Sequence, residues 1–213
     1  MKDALSYLVE KYVINLNVTS PIEIPNVGRD SLPHIFKELG FKVGAEIGVE
    51  RGRFTKQLLK PNPELKIFAI DPWITYKGYT SAWDDNIFED FFLTTQERLK
   101  GYNVEYIRKF SMDALADIED DSLDFVYIDG NHAKPFVDQD IAGWTPKVKI
   151  GGIVAGHDYT QARHNRTTKV EVREAVHAYT ELNNISPWFL LGTTGRVEGE
   201  VRDSSRTWFW VKS

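Results

Sequence analysis

Val43-Gly44-Ala45-Glu46-Ile47-Gly48-Val49-Glu50-Arg51-Gly52-Arg53-Phe54 carries a short apolar run into a carboxylate and two glycines, and then into a helical pattern. A strand that ends this way is built to meet a nucleotide-like ligand. The glycines let the backbone come close, and the first N–H groups of the following helix are free to face the loop. A second acidic strand end, Ile67-Phe68-Ala69-Ile70-Asp71, follows at about the twenty-residue spacing at which dinucleotide folds place a ribose-binding carboxylate. The Gly48-x-x-x-Gly52 spacing lacks the full Gly-x-Gly-x-x-Gly pattern, which leaves room for a cofactor without phosphates.

On either side of this stretch the pattern alternates. The periodicity predicts a helix near Ser31 to Leu39, strand Val43 to Ile47, helix Arg53 to Leu59, strand Lys66 to Ile70 and a helix around Asn86 to Lys100. It continues with strand Val104 to Ile107, a short helix at Met112 to Ile118, strand Leu123 to Ile128, a helix at Pro135 to Trp144, strand Gly152 to Ala155 and a helix near Val170 to Leu182. The strands are short continuous apolar runs, as a parallel sheet covered by helices on both faces requires. Trp188 to Leu191 and Thr207 to Val211 have no helix between them, so an antiparallel hairpin is expected to terminate the sheet. The fold class expected is α/β, a Rossmann-like doubly wound sheet. Residues 1–30 read as an N-terminal cap, with Pro21, Pro25 and Gly28 interrupting regularity, and residues 31–213 as the domain proper.

Composition narrows the partners. With 213 residues, 42% of them hydrophobic, the chain has the material for one domain with a full core. The net charge of −5 and the absence of a Lys/Arg cluster argue against nucleic acid. No apolar run reaches the roughly 18 residues of a membrane span, and the start is not that of a signal peptide, so a soluble, cytoplasmic protein is expected. With no cysteine, any metal must be held by carboxylates, histidines or carbonyls. The sequence is compatible with a homo-oligomer and says nothing more about assembly.

In an open α/β sheet ligands sit beyond the carboxyl ends of the strands. Glu46, Gly48 and Gly52 follow the first strand. Asp71 follows the second and can accept hydrogen bonds from two ribose hydroxyls, or cap the turn before Pro72. Phe110-Ser111-Met112-Asp113 follows the third and suits the edge and face of an adenine, although Ser111 would serve equally as a helix cap. The fourth and fifth ends are Tyr127-Ile128-Asp129-Gly130-Asn131-His132 and Ala155-Gly156-His157-Asp158-Tyr159. Two unpaired aspartates facing one cleft repel unless a cation or proton joins them, so Asp129 and Asp158 are candidates to share a divalent ion, with a histidine as ligand or general base. Pro72 to Tyr79, with Trp83 beyond, reads as an aromatic lid or as plain surface packing. Thr160 to Lys169, with Arg163, His164 and Arg166, reads as a solvated charged loop or as a contact for an anionic or sugar acceptor.

Together these residues resemble the class I S-adenosylmethionine-dependent methyltransferases, of the seven-stranded α/β type. The branch is methyltransferase 24-like, similar to catechol O-methyltransferase and to enzymes that methylate sugars on macrolides. The marks are Ala45 to Val49 with Gly52, Ala69-Ile70-Asp71-Pro72-Trp73, Phe125 to His132 and Gly151 to Tyr159. The resemblance implies S-adenosyl-L-methionine as cofactor. Glu46, Gly48 and Gly52 would lie against its methionine and ribose, and Asp71 would hold the ribose hydroxyls. Ser111, Met112 and Asp113 would border adenine, with Trp73 and Asp129 also counted toward the cofactor. It implies Mg2+ or another divalent cation on Asp129, His157 and Asp158; the asparagine that follows the second aspartate in the catechol type is here Tyr159. His132 stands where the catechol type has its lysine base, so His132 or His157 would take the proton from the hydroxyl of a small-molecule or sugar acceptor. A cofactor-binding protein without catalysis, and a nicotinamide-dependent oxidoreductase, are the alternatives.

Overall fold

The computed structural model describes residues 3–76, 84–160, 162–163 and 169–213. The chain opens with α1 (Ala4–Tyr12), β1 (Ile22–Ile24) and α2 (Leu32–Leu39). Then follow β2 (Val43–Ile47), α3 (Arg53–Leu59), β3 (Lys66–Ile70), α4 (Asp85–Arg98), β4 (Val104–Ile107) and α5 (Ser111–Ala114). The second half holds β5 (Leu123–Ile128), α6 (Lys134–Trp144), β6 (Val148–Gly156), a small antiparallel pair β7 (Ala162–Arg163) and β8 (Lys169–Val170), α7 (Val172–Leu182), β9 (Phe189–Leu191) and β10 (Thr207–Val211).

The main sheet has the order β1-β9-β10-β6-β5-β2-β3-β4. β10 pairs antiparallel with both β6 and β9, and every other pairing is parallel. This is the doubly wound Rossmann-like sheet, with eight strands where seven were expected. The extra strand comes from the Pro/Gly-interrupted segment near the N-terminus, where Ile22 and Ile24 pair with Phe189 and Leu191. The β9–β10 hairpin therefore does not terminate the sheet; β1 lies outside it. Three residues between two prolines are too few to show a period, although Ile22 and Ile24 turn inward and Glu23 outward as a strand demands.

β5 lies at the centre and is buried at all six positions. Phe125 and Tyr127 face the α1–α3 side, where Phe125 stacks on Phe36 at 4.2 Å; Val126 and Ile128 face α6 and α7, with Ile141, Trp144 and Val176. Burial on both faces is why these strands read as unbroken apolar runs. The one carboxylate in β5, Asp124, is buried at the far end of the sheet from the crevice. It accepts the Lys42 and Val43 N–H groups at 2.7 and 2.9 Å and the Lys149 ammonium at 2.7 Å, tying the starts of β2, β5 and β6 together. No helix among the described residues is long and apolar enough to cross a membrane.

From β2 the chain winds outward through β3 and β4, then returns to place β5 on the other side of β2. The crevice of a doubly wound sheet opens at this reversal, beyond the carboxyl ends of β2 and β5.

Candidate functional site

At the reversal the backbones of β2 and β5 nearly touch. Gly48 has φ +86°, and a Cβ there would stand 2.2 Å from the Asp129 carbonyl oxygen. The Asp129 N–H donates to the Ile47 carbonyl at 2.8 Å, and the Gly48 N–H donates to the Ile70 carbonyl at 2.9 Å. Three site turns hold non-glycine residues at positive φ: Glu50 at +50°, Trp73 at +45° and Asp158 at +52°. Such conformations persist where surrounding bonds over-determine them. Asp71 supplies those bonds for two of the turns, accepting the Glu50 N–H at 2.9 Å and the Trp73 N–H at 2.8 Å. Burial pushes the Asp71 carboxyl up, against the pull of the N–H groups of Glu50, Trp73 and Val49.

A cavity of about 440 Å³ opens beyond β3, β4 and β5. Of the residues named from the sequence, Gly48, Asp71, Ser111, Met112 and Asp129 line it. Glu46, Gly52, Trp73 and Asp113 are not among the lining residues. Trp73 is 1% exposed, packed on Phe92, and its indole N–H donates to the Glu50 carbonyl at 2.7 Å, so it braces the loop from behind. Gly52 begins α3, where a Cβ would press on Thr95 of α4 at 2.9 Å. Asp113 is exposed to solvent.

The cavity also holds Tyr76, from the segment read as an aromatic lid, and two groups the sequence reading missed, Phe136 and Asp140. Tyr76, edge-on to Phe110 at 5.2 Å, and Phe136 wall its mouth, and Asn131 donates to the Tyr76 hydroxyl at 3.2 Å. Asp140 of α6, 5% exposed, presents a carboxyl to it. Oδ1 of Asp140 accepts the Ser111 hydroxyl, which in turn accepts the Trp144 indole N–H at 2.8 Å. Burial pushes Asp140 up to about 7, against the pull of Ser111.

Behind the Gly48–Gly130 crossing lies a second, polar cavity of about 460 Å³ that includes Arg29, Glu46, Arg53, Gln57, Asp129 and His132. Glu46 is 2% exposed and its Oε2 has no partner; Arg29 Nε is likewise unpartnered. Burial pushes Glu46 up to about 8, against the pull of Thr55 and the Arg29 charge. Arg29, from the segment after β1, donates to Asp129 Oδ2 at 2.8 Å with its guanidinium 4.0 Å over the Phe54 ring.

Next to Arg29 the charged groups alternate in sign. His132 Nε2 lies 3.4 Å from Asp129 Oδ1 and 3.1 Å from Asp158 Oδ2. His157 lies on the far side of Asp158, with Nδ1 3.5 Å from its Oδ2 and Nε2 3.5 Å from Asp203 Oδ1. Burial opposes the charge on His132, but its bonds to Asp129 and Asp158 outweigh that and raise it to about 10. His157 is raised to about 9, again against burial, by Asp158 and Asp203. The two imidazoliums hold Asp158 well below the usual carboxylate range despite its burial. Donor atoms of Asp129, His132 and Asp158 lie within 4.8 Å of one another. The sequence had grouped His157 with the two aspartates; the geometry brings His132 there instead. Tyr159 turns inward, its hydroxyl 2.6 Å from His177 Nε2, and takes no place among these donors. Lys77, Gly78, Tyr79 and Trp83 of the aromatic segment, and His164, Arg166 and the Arg163 side chain of the charged loop, lie outside what the structure describes.

A reversal crevice with a strand-end carboxylate, an apolar cavity without a phosphate cradle and a second acidic cluster defines an α/β cofactor-binding enzyme domain. The methyltransferase-domain family matches residues 45–159, more than half of the chain. The chain belongs to that family, among the class I S-adenosylmethionine-dependent methyltransferases. Its fold is similar to that of the O-methyltransferase TomG from Streptomyces achromogenes, solved with S-adenosylmethionine, with a TM-score of 0.57 and 17% identity over 100% of this chain and 91% of that one. It is also similar to an O-methyltransferase from Bacillus cereus in complex with S-adenosylhomocysteine, at TM-score 0.58 and 13% identity over 100% and 92% of the two chains. Among curated proteins, the uncharacterized protein y4gI of Sinorhizobium fredii is 26% identical over an alignment of 129 residues that covers 58% of this chain and 13% of that protein's length.

Proposed function

We propose that this chain transfers the methyl group of S-adenosylmethionine to a hydroxyl of a small-molecule acceptor, sugar or phenol, with a divalent cation at the Asp129–His132–Asp158 cluster. The observation that carries the proposal is that Asp129 borders both cavities and also belongs to the acidic cluster. Asp71 would hold the ribose of such a cofactor, and the Gly48–Gly130 crossing between the two cavities would lie beside its reactive end. Glu46 and Arg29, each with an unpartnered buried atom in the polar cavity, are complementary to the ammonium and carboxylate of the amino-acid end. The cofactor bound in one solved neighbour, S-adenosylmethionine in TomG, and its demethylated product in another, S-adenosylhomocysteine in the Bacillus protein, support the same assignment.

In the transfer, an acceptor oxygen forms a bond to the methyl carbon as the carbon–sulfur bond breaks in line. S-adenosylhomocysteine and a methyl ether result, and the hydroxyl proton passes to the chain. Alignment of oxygen, methyl and sulfur supplies most of the rate. Two carboxylates and one imidazole are donors for a hard cation of the Mg2+ or Mn2+ type. When bound, such an ion would lower the pKa of the acceptor hydroxyl. His132 Nε2 is protonated near neutral pH while it alone joins Asp129 and Asp158; where a cation met their charge instead, that nitrogen would either hold the ion or take the acceptor's proton, not both. This couples the base to the cation. His157, held between Asp158 and Asp203, is better placed to orient Asp158 than to meet the acceptor.

The test is release of S-adenosylhomocysteine from S-adenosylmethionine with a panel of sugars and phenols, with Mg2+ present and after treatment with EDTA. Turnover that falls at least tenfold on chelation, returns with Mg2+, and is lost in Asp158→Asn is expected. Turnover indifferent to chelation would remove the cation, and binding of cofactor without turnover on any acceptor would leave a binding module.

A further inference from the structure

Asp140 is a buried carboxyl in the cofactor cavity that the strand-end logic does not account for. It stands within α6, and among the described residues only one of its oxygens has a hydrogen-bond partner: Oδ1 takes the Ser111 hydroxyl. That hydroxyl is fixed in turn by Trp144, which is fully buried, so the carboxyl cannot rotate away without orphaning the Ser111 O–H. The other oxygen, Oδ2, lies at the cavity floor, 3.5 Å from where a Cβ on Gly130 would stand. Asp140 opens onto the cavity, so a ligand that fills it covers Oδ2 and must supply a donor, or the burial goes uncompensated. The walls around it, Phe110, Met112 and Phe136, are flat or soft and suit the faces of a heteroaromatic ring.

Resting on the cofactor reading above, we propose that Asp140 Oδ2 accepts a hydrogen bond from the exocyclic amine of the cofactor's adenine, so that Asp140, held in place by Ser111 and Trp144, makes the site specific for adenine over a purine with a carbonyl at the same position. An amine offers two N–H donors to the ionised carboxylate, whereas the carbonyl of hypoxanthine faces it with a second acceptor. Because burial holds Asp140 protonated up to about 7, the two ligands are compared at about pH 8.5, where Oδ2 has no proton to donate. A site built around a buried hydrogen bond rejects an analogue lacking the donor far more strongly than an apolar pocket rejects a change of size. Two other polar groups at this end are already committed. Asn131 Oδ1 accepts the Ala133 N–H at 3.0 Å, and the Ser111 hydroxyl already donates to one partner and accepts from another.

The experiment is calorimetry with S-adenosylhomocysteine and S-inosylhomocysteine on the unmutated protein, Asp140→Asn and Asp140→Ala. The unmutated protein is expected to prefer the adenosyl ligand at least thirtyfold. In Asp140→Asn the carboxamide oxygen keeps the Ser111 bond and its NH2 group turns to the ligand, so the preference falls below tenfold or inverts. Asp140→Ala, which has no polar group at this place, is expected to fall below tenfold as well. A preference under tenfold in the unmutated protein, or one of tenfold or more surviving in a folded variant, would overturn the assignment to Asp140. Failure of the unmutated protein to bind S-adenosylhomocysteine at all would instead overturn the cofactor reading beneath it.

Discussion

Substituting Gly48 by alanine tests whether the crossing of β2 and β5 is the structural basis of the site. Two costs separate cleanly, because Gly151 has a similar conformation without the crowding: φ is +86° at Gly48 and +81° at Gly151, yet a Cβ at Gly151 meets nothing within 4 Å. Gly151→Ala therefore carries the left-handed backbone cost alone, about 1–2 kcal/mol. Gly48→Ala carries that cost and more. Its Cβ would lie 2.2 Å from the Asp129 carbonyl oxygen and 2.7 Å from Gly130 Cα, so backbone must move by about 1 Å to reach ordinary contact. Overpacking of that kind costs about 1–3 kcal/mol, and parting the strand ends strains the 2.8 Å bond from the Asp129 N–H to Ile47, for about 1 kcal/mol more. The total of about 3–6 kcal/mol lowers Tm by on the order of 10 °C in a chain of this size, against a few degrees for Gly151→Ala. Thermal unfolding followed by circular dichroism, paired with calorimetric affinity for S-adenosylhomocysteine, reads both effects. Gly48→Ala should lose at least tenfold in affinity and Gly151→Ala less than twofold. Equal losses of Tm in the two variants, or an unaltered affinity in Gly48→Ala, would refute the reasoning.

Stability should fall as pH rises from 5 to 9, read as the urea midpoint. Asp140 and Glu46 are raised by burial to about 7 and about 8, and His132 and His157 by their aspartates to about 10 and about 9. In each case the native state keeps a proton that the unfolded chain releases earlier, so the stabilisation is full below the unfolded pKa and is lost as pH rises through the folded one. For Asp140 the displacement from 3.8 to about 7 amounts to at most about 4 kcal/mol, so Asp140→Asn should flatten the profile between pH 4 and 7; an unchanged slope in that variant would show that Asp140 titrates normally. At the opposite end of the sheet, Asp124→Ala orphans the Lys42 and Val43 N–H groups and the Lys149 ammonium and should cost about 3–5 kcal/mol by denaturant unfolding while leaving S-adenosylhomocysteine affinity within twofold. A large affinity loss there would mean that the site depends on more than the strand ends it is built on.

The sheet was readable because its central strands are covered on both sides. β2, β3, β4, β5 and β10 begin and end where the apolar runs do. β6 starts earlier than its run suggested, at Val148, since Lys149 and two glycines interrupt it. β1 escaped notice because a three-residue strand has no room for a period, and the expectation of a terminal hairpin failed with it. The strand ends likewise yielded Asp71, Ser111, Asp129 and Asp158, whose places in the sheet follow from their places in the chain.

Arg29 and Asp140 obey a different rule. Arg29 reaches Asp129 from 100 residues away in sequence, across the crossing, and Asp140 reaches the cavity from within a helix, where an acidic residue beside Gln139 and Ile141 reads as an exposed one. The two histidines show the same limit at close range. Both follow strand ends, but the left-handed turn at Asp158 sends that carboxylate toward His132 and leaves His157 to bridge back to Asp203 in the β9–β10 connection. Strand-end position identifies the groups the sheet itself carries. The groups that set their charge, and on the proposed reading discriminate among ligands, arrive on the helices and connections packed over them, and only the packed structure brings these into view. It follows that variants at Arg29 and Asp140 should alter ligand preference and cation affinity more than they alter the sheet.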